Sequence, residues 1–237
     1  MDDSRPGRVS RKRWLAALIV GAVAWLVATI ASQWIPSVLL GLELQGAAYA
    51  WVALFQLVLG PAAVLLGLRI AGYRLGDVGW VGAHWRVDAL IGAGTAVVFA
   101  LLQFLVVIPA TGGADRSDVV ANSAQIGDSV GGLAAFIALA WAGALSEELF
   151  FRGHLLAALR GILGRGRGAW VAAILLVTAT FAALHGYQGV AGMIDTGLYG
   201  GLAMTLLYVA RGCRLTAPIV AHAMWNTIAS VVIWWQY

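Results

Sequence analysis

The chain has 237 residues, 61% of them hydrophobic and 11% charged, and its mean hydropathy is +0.86. A soluble domain of this size needs far more charge on its surface, so the composition excludes one and points to a polytopic helical membrane protein. The net charge of +4 gives no reason to expect nucleic acid, because the basic residues punctuate the hydrophobic runs instead of forming one patch.

Residues 1–13 form a basic tail with Arg5, Arg8, Arg11, Lys12 and Arg13. The apolar run that follows is long and has no clear small-residue cleavage site, so a retained first helix is expected rather than a cleavable signal. The first span is expected over 14–35, closed by Pro36, and the second over 47–70, kinked at Pro61. Residues 71–88 mix Trp80, Trp85 and Arg86, which suits a short amphipathic segment at the interface. A third span covers 89–109, and 111–130 is one long polar loop. The fourth helix starts near Gly132 and can continue to Leu163. The remaining spans are expected over 169–186, 190–210 and 217–235.

The expectation is therefore an all-α bundle of about seven helices, seven to eight, around a buried polar active site. Three regions are expected: the tail 1–13, N-terminal helices with a polar loop over 14–131, and a catalytic helical region over 132–237. With the N-terminus in the cytoplasm, every Lys and Arg except Arg116 falls at an inner end, as the positive-inside rule requires. The hairpin tip with Arg160, Arg165 and Arg167 is expected to protrude into the cytoplasm. Cys213 stands alone, so no intrachain disulfide is possible, and in its short inner loop it is expected to be inert.

Glu147 and Glu148 interrupt this pattern, because a charge at membrane depth costs a few kcal/mol. Arg152 lies four residues after Glu148, on the same helical face and in the favourable order, so those two can neutralise each other. Glu147 is left about 100° around the helix without that partner. Of the four histidines, His84 and His154 read as interfacial residues, whereas His185 and His222 lie within or at the end of apolar helices. Taking Gly166 as the pivot of an antiparallel hairpin sets Glu147 and His185 at equal height. His222 and Asn226 share one face of the last helix, one turn apart. Glu147, His185, His222 and Asn226 can thus meet in one pocket.

A carboxylate and an imidazole around one water make a general-base site. A second imidazole and an amide can donate to a developing oxyanion. The alternative is zinc held by Glu147, His185 and His222. The residues alone do not decide between these two chemistries. Ser146 has no G-x-S-x-G context and reads as a packing residue. Two other functions remain open: a non-catalytic membrane scaffold or bacteriocin-immunity protein, and a proton-coupled transporter.

"EELFFR" (Glu147–Arg152), with Gly153 and Leu155 after it, resembles the E-E-x-x-x-R motif of the CPBP family. This is the CAAX protease and bacteriocin-processing, or Abi, family of intramembrane proteases. "FAALH" (Phe181–His185) resembles its F-x-x-x-H motif and "HAMWN" (His222–Asn226) its H-x-x-x-N motif. The resemblance covers about 132–230 and implies an intramembrane endopeptidase. It implies that Glu147 and His185 activate water, that His222 and Asn226 stabilise the oxyanion, and that Glu148, Arg152 and Phe181 support the site. The family has been described both as metalloproteases and as metal-free enzymes; metal-free chemistry is the favoured expectation, because an Asn beside the second His suits an oxyanion hole better than a zinc shell. The partners so implied are the lipid bilayer and a membrane-associated peptide or protein, which CAAX-type processing would cleave. The expected location is the cell membrane, multi-pass.

Overall fold

Seven helices of the computed structural model are long and apolar enough to cross a bilayer. The structure describes residues 9–164 and 166–237, so Arg5, Arg8 and Arg165 of the expected basic ends lie outside the described residues. The spans are α1 (Arg11–Leu39), α2 (Gly46–Ala71), α3 (Trp85–Ala110), α5 (Val130–Leu163), α6 (Arg167–Leu184), α7 (Gly186–Ala210) and α8 (Thr216–Gln236). A shorter helix, α4 (Ser117–Ile126), lies between α3 and α5. Large apolar side chains such as Ile30, Leu90, Leu105, Val190 and Leu198 are exposed on the outside of the bundle. That surface suits lipid, and the chain is a multi-pass membrane protein.

The boundaries differ from expectation in three places. Helix α1 does not stop at Pro36. It continues as a π-helical turn over Ile35–Leu39, a local change of winding that accommodates Pro36, which has no N–H to donate to the preceding turn. The third span begins earlier than 89: after a 3-10 turn over Leu75–Val78, α3 starts at Trp85. Gly79 has φ +98, and a Cβ there would run into the backbone of Cys213. Its carbonyl accepts the Leu215 N–H at 3.0 Å, which docks this connection onto the start of α8. The 111–130 connection, expected as a loop, contains α4 and is tied down at its start by Arg116.

Helix α5 is 34 residues long, more than a simple span requires. Ser129 caps its start by accepting the Gly132 N–H at 2.9 Å. At Glu148 the α-helix gives way to a π-helical stretch, Leu149–Leu155, and then resumes to Leu163. Trp25 stacks on Phe150 at 4.2 Å and donates its indole N–H to Ser146 Oγ at 3.0 Å. Ser146 Oγ also accepts from Gln56 Nε2 at 3.1 Å, and Ser32 donates to Gln56 Oε1 at 2.7 Å. Ser146 is thus a packing residue that ties α5 to α1 and α2.

His154 departs from expectation. It is fully buried instead of interfacial, and neither ring nitrogen has a hydrogen-bond partner among the described residues. Its ring fills the gap left by Gly21 and Gly67, where any Cβ would collide with it. Asp88 is also fully buried, in the first turn of α3, where Arg211 and Arg214 both bind it, at 2.8 and 2.6 Å. The carboxylate holds the Arg214 guanidinium above its usual range.

Candidate active site

Arg152 and Glu148 are both completely buried, and Arg152 Nη1 donates to Glu148 Oε1 at 2.8 Å. A guanidinium carries more donors than one carboxylate oxygen can accept. Arg152 Nη2 therefore also donates to the main-chain carbonyls of Gly200 and Gly201. Those carbonyls lie in a second π-helical stretch, Gly197–Ala203, on α7. A π turn disturbs the regular ladder and turns carbonyls toward outside donors, which is one reason such turns recur at functional sites. Thr205 Oγ1 also donates to the Gly201 carbonyl, at 2.6 Å.

The two helices of the α6–α7 hairpin touch backbone to backbone. A Cβ on Gly197 would strike Ala182, one on Gly200 the ring of Phe181, and one on Gly201 the Thr178 backbone. Small residues at helical spacing allow this approach. Phe181 is thereby pressed into the centre. Its ring stacks on His185 at 4.4 Å, meets Phe151 at 4.8 Å and lies 6.2 Å from the His222 ring. The Arg152 guanidinium sits 5.2 Å above its face, a cation–π arrangement.

His222 is buried and comes from α8. Its Nδ1 lies 2.8 Å from Glu148 Oε1, so this one carboxylate oxygen serves both Arg152 and His222. The four-residue spacing in the sequence pairs Glu148 with Arg152 alone. The signal that could have found the second contact is the capacity of a carboxylate, which accepts several donors. His185 sits where α6 ends, with backbone φ −97 and ψ 13. Its Nδ1 lies 2.8 Å from the Phe181 carbonyl, which leaves Nε2 facing away from its own helix.

Glu147 makes no hydrogen bond among the described residues, and its Oε2 is buried without a partner. Its charge is within electrostatic reach of Arg152, His222 and Tyr187. No hydrogen bond joins Glu147 to His185 among the described residues. Asn226 lies one turn after His222, partly buried, and its side-chain amide makes no hydrogen bond among the described residues; its main-chain carbonyl accepts from Ser230 at 2.8 Å. Tyr187 had no role in the sequence reading, yet its exposed ring stands 5.9 Å from that of His185.

Among the described residues no group of three or more His, Cys, Asp or Glu side chains converges to hold a metal ion. Each site histidine turns Nδ1 to an acceptor within the chain and so keeps Nε2 free, which serves a water-orienting and a metal-binding histidine equally.

Residues 129–228 match the family model Rce1-like, described as type II CAAX prenyl endopeptidase Rce1-like. This region is a CAAX-type protease domain. No curated protein matches the chain, and no solved structure does. The protease match spans α5 to α8 and so contains Glu147, Glu148, Arg152, Phe181, His185, His222 and Asn226. The seven apolar helices suit a bilayer around this protease domain, and the family it matches is one of endopeptidases. The first three spans of the protease lie outside the match, although Trp25 and Gln56 hold Ser146, the residue immediately before Glu147.

Proposed function

We propose that this protease hydrolyses a peptide bond of a membrane-associated substrate with a water activated by Glu147 and His185. The observation that carries the reading is the contrast between the two glutamates. Glu148 is compensated by Arg152 and His222, whereas Glu147 has a buried oxygen with no partner. An uncompensated acid at membrane depth is expensive and by default functional.

In the proposed reaction Glu147 takes a proton from the water, and the hydroxide attacks the scissile carbonyl carbon. With Nδ1–H donated to the Phe181 carbonyl, His185 offers the Nε2 lone pair to the second hydrogen of the water and orients it. The carbonyl oxygen becomes an oxyanion, which accepts from the Asn226 amide and from His222. As an imidazolium, His222 has a donor at each nitrogen, so Nδ1–H serves Glu148 and Nε2–H serves the oxyanion. Collapse breaks the C–N bond, and Glu147 returns its proton to the leaving amine. No metal takes part in this scheme.

The N-terminus is assigned to the cytoplasm. Arg13, which donates to the Ile70 carbonyl, and Arg211 and Arg214, which bind Asp88, gather at the end where α1 begins and α2 ends.

The test is cleavage of a farnesylated CAAX peptide by purified protein in nanodiscs, beside Glu147→Gln and His185→Ala. Cleavage by the wild type and loss in both variants is the expected result. Equal cleavage by all three overturns the assignment. Stoichiometric zinc, with activity lost on chelation and regained on addition, overturns the metal-free scheme.

A further inference from the structure

We propose that Arg116, Ser117 and Asp195 are positioning residues that clamp α4 onto the turn carrying His185 and so hold that imidazole at the reaction centre. The inference rests on the role given to His185 above.

His185 has weak anchorage of its own. It lies past the end of α6, and besides the stacking on Phe181 its ring makes one hydrogen bond, to the Phe181 carbonyl. Its place therefore depends on the turn that follows, Gly186–Gln188. Two bonds fix that turn from outside. Ser117 Oγ donates to the Gln188 carbonyl at 2.9 Å, and Thr196 Oγ1 donates to Gln188 Oε1 at 2.6 Å. The Gln188 N–H in turn donates to the His185 carbonyl at 3.0 Å, so the restraint reaches His185 through one residue. Gly189 has φ +77, and a Cβ there would come within 3.0 Å of Ser117 Oγ, so the fit between strap and turn leaves little room.

Arg116 holds the strap. It is buried, with 5% of its surface exposed. Its guanidinium binds both oxygens of Asp118, at 2.7 and 2.6 Å, as well as Asp195 at 3.1 Å and Thr111 Oγ1 at 3.1 Å. Gln103 of α3 donates to the same Asp195 oxygen. Asp195 belongs to α7, so the cluster joins α3, α4 and α7. The neighbouring carboxylates hold the guanidinium above its usual range.

This cluster is costly as a source of stability alone. Asp195 sits within a membrane span, and buried ion clusters are commonly no more stabilising than apolar packing of the same volume. What a directional cluster supplies is register between the parts it joins. Here those parts are α4 and the first turns of α7, which begin immediately after His185. The same cluster accounts for Arg116 being the one basic residue that departs from the positive-inside pattern.

The test uses the full-length protein in nanodiscs and three variants: Ser117→Ala, Arg116→Gln and the double variant Arg116→Gln/Asp195→Asn. Hydrogen–deuterium exchange is followed in peptides covering 183–190 and 130–163, and kcat and KM are measured with a farnesylated CAAX peptide. In Ser117→Ala, exchange over 183–190 is expected to rise severalfold while 130–163 stays unchanged. The kcat is expected to fall by about tenfold at nearly constant KM, since small misplacements of a reacting group carry penalties of this order or larger. Arg116→Gln gives the larger effect, and the double variant, which leaves less unpaired charge, keeps the local loosening and recovers overall stability. Wild-type protection over 183–190 in Ser117→Ala and Arg116→Gln overturns the proposal, and so does exchange that rises equally throughout the chain. Glu147→Gln separates the two readings. If it still cleaves, the catalytic assignment fails, while the exchange result stands by itself.

Discussion

Glu148 Oε1 and His222 Nδ1 lie 2.8 Å apart across the α5–α8 contact, and the same oxygen takes Arg152 Nη1 at 2.8 Å. Glu147, the residue before, has no such partner. Adjacent and chemically identical side chains thus differ completely in compensation, because each occupies a different helix face.

Glu147→Gln is expected to separate activity from stability. Removing a general base lowers turnover by about 10²–10⁴-fold. Removing an unpartnered charge from a membrane interior leaves the thermal midpoint unchanged or raises it. Thermal unfolding in detergent, monitored by circular dichroism, checks this; a clear drop in the midpoint would mean that Glu147 has a structural partner.

The Glu148–Arg152 pair behaves in the opposite way. Glu148→Gln or Arg152→Met alone leaves an uncompensated buried charge, which costs about 3–5 kcal/mol. The double variant Glu148→Gln/Arg152→Met recovers much of that loss in denaturant unfolding. It does not recover cleavage, because His222 has lost its carboxylate.

Gly200→Ala introduces a methyl group against Phe181. Phe181 cannot yield freely between His185 and Arg152. A loss of roughly 1–3 kcal/mol is expected, as for overpacking elsewhere, together with reduced kcat. Gly94→Ala is the control: a Cβ there meets open space, so stability should hold or rise by up to about 1 kcal/mol.

Cys213 should alkylate slowly at neutral pH. Burial pushes its thiol above the usual value. The reactive form is the thiolate, so reaction with iodoacetamide accelerates only as the pH rises beyond the range that activates an ordinary cysteine. A rate–pH profile read by intact mass measures this, and a rate at neutral pH matching a free thiol contradicts it.

The spans were legible in the sequence because lipid imposes long apolar runs that charge and glycine interrupt. The Glu148–Arg152 pair was legible because a four-residue spacing needs only one helix to interpret it. What stayed hidden depends on how helices turn toward each other. The Glu148–His222 contact needs the rotation of α5 against α8. The burial of His154 needs two glycines on two other helices to face it. Asp195 attracted no notice in its span, because its partner Arg116 belongs to a connection that reads as loop. The π-helical stretches at Leu149–Leu155 and Gly197–Ala203 carry no local signature, yet they hold Arg152 and its carbonyl acceptors. The common height of Glu147 and His185, read from the hairpin, is a statement about level alone, and no direct bond joins the two among the described residues.

The bonds from Trp25 and Gln56 to Ser146 have a consequence for dissecting the chain. Homology begins at residue 129, but the cooperative unit does not. A fragment starting there would expose Ser146 and His154 to lipid and lose the helices that fill the space beside them. The natural place to cut is the polar connection before α5. The two pieces produced from separate messages should find each other in the bilayer and restore cleavage, whereas the homologous piece alone should be degraded.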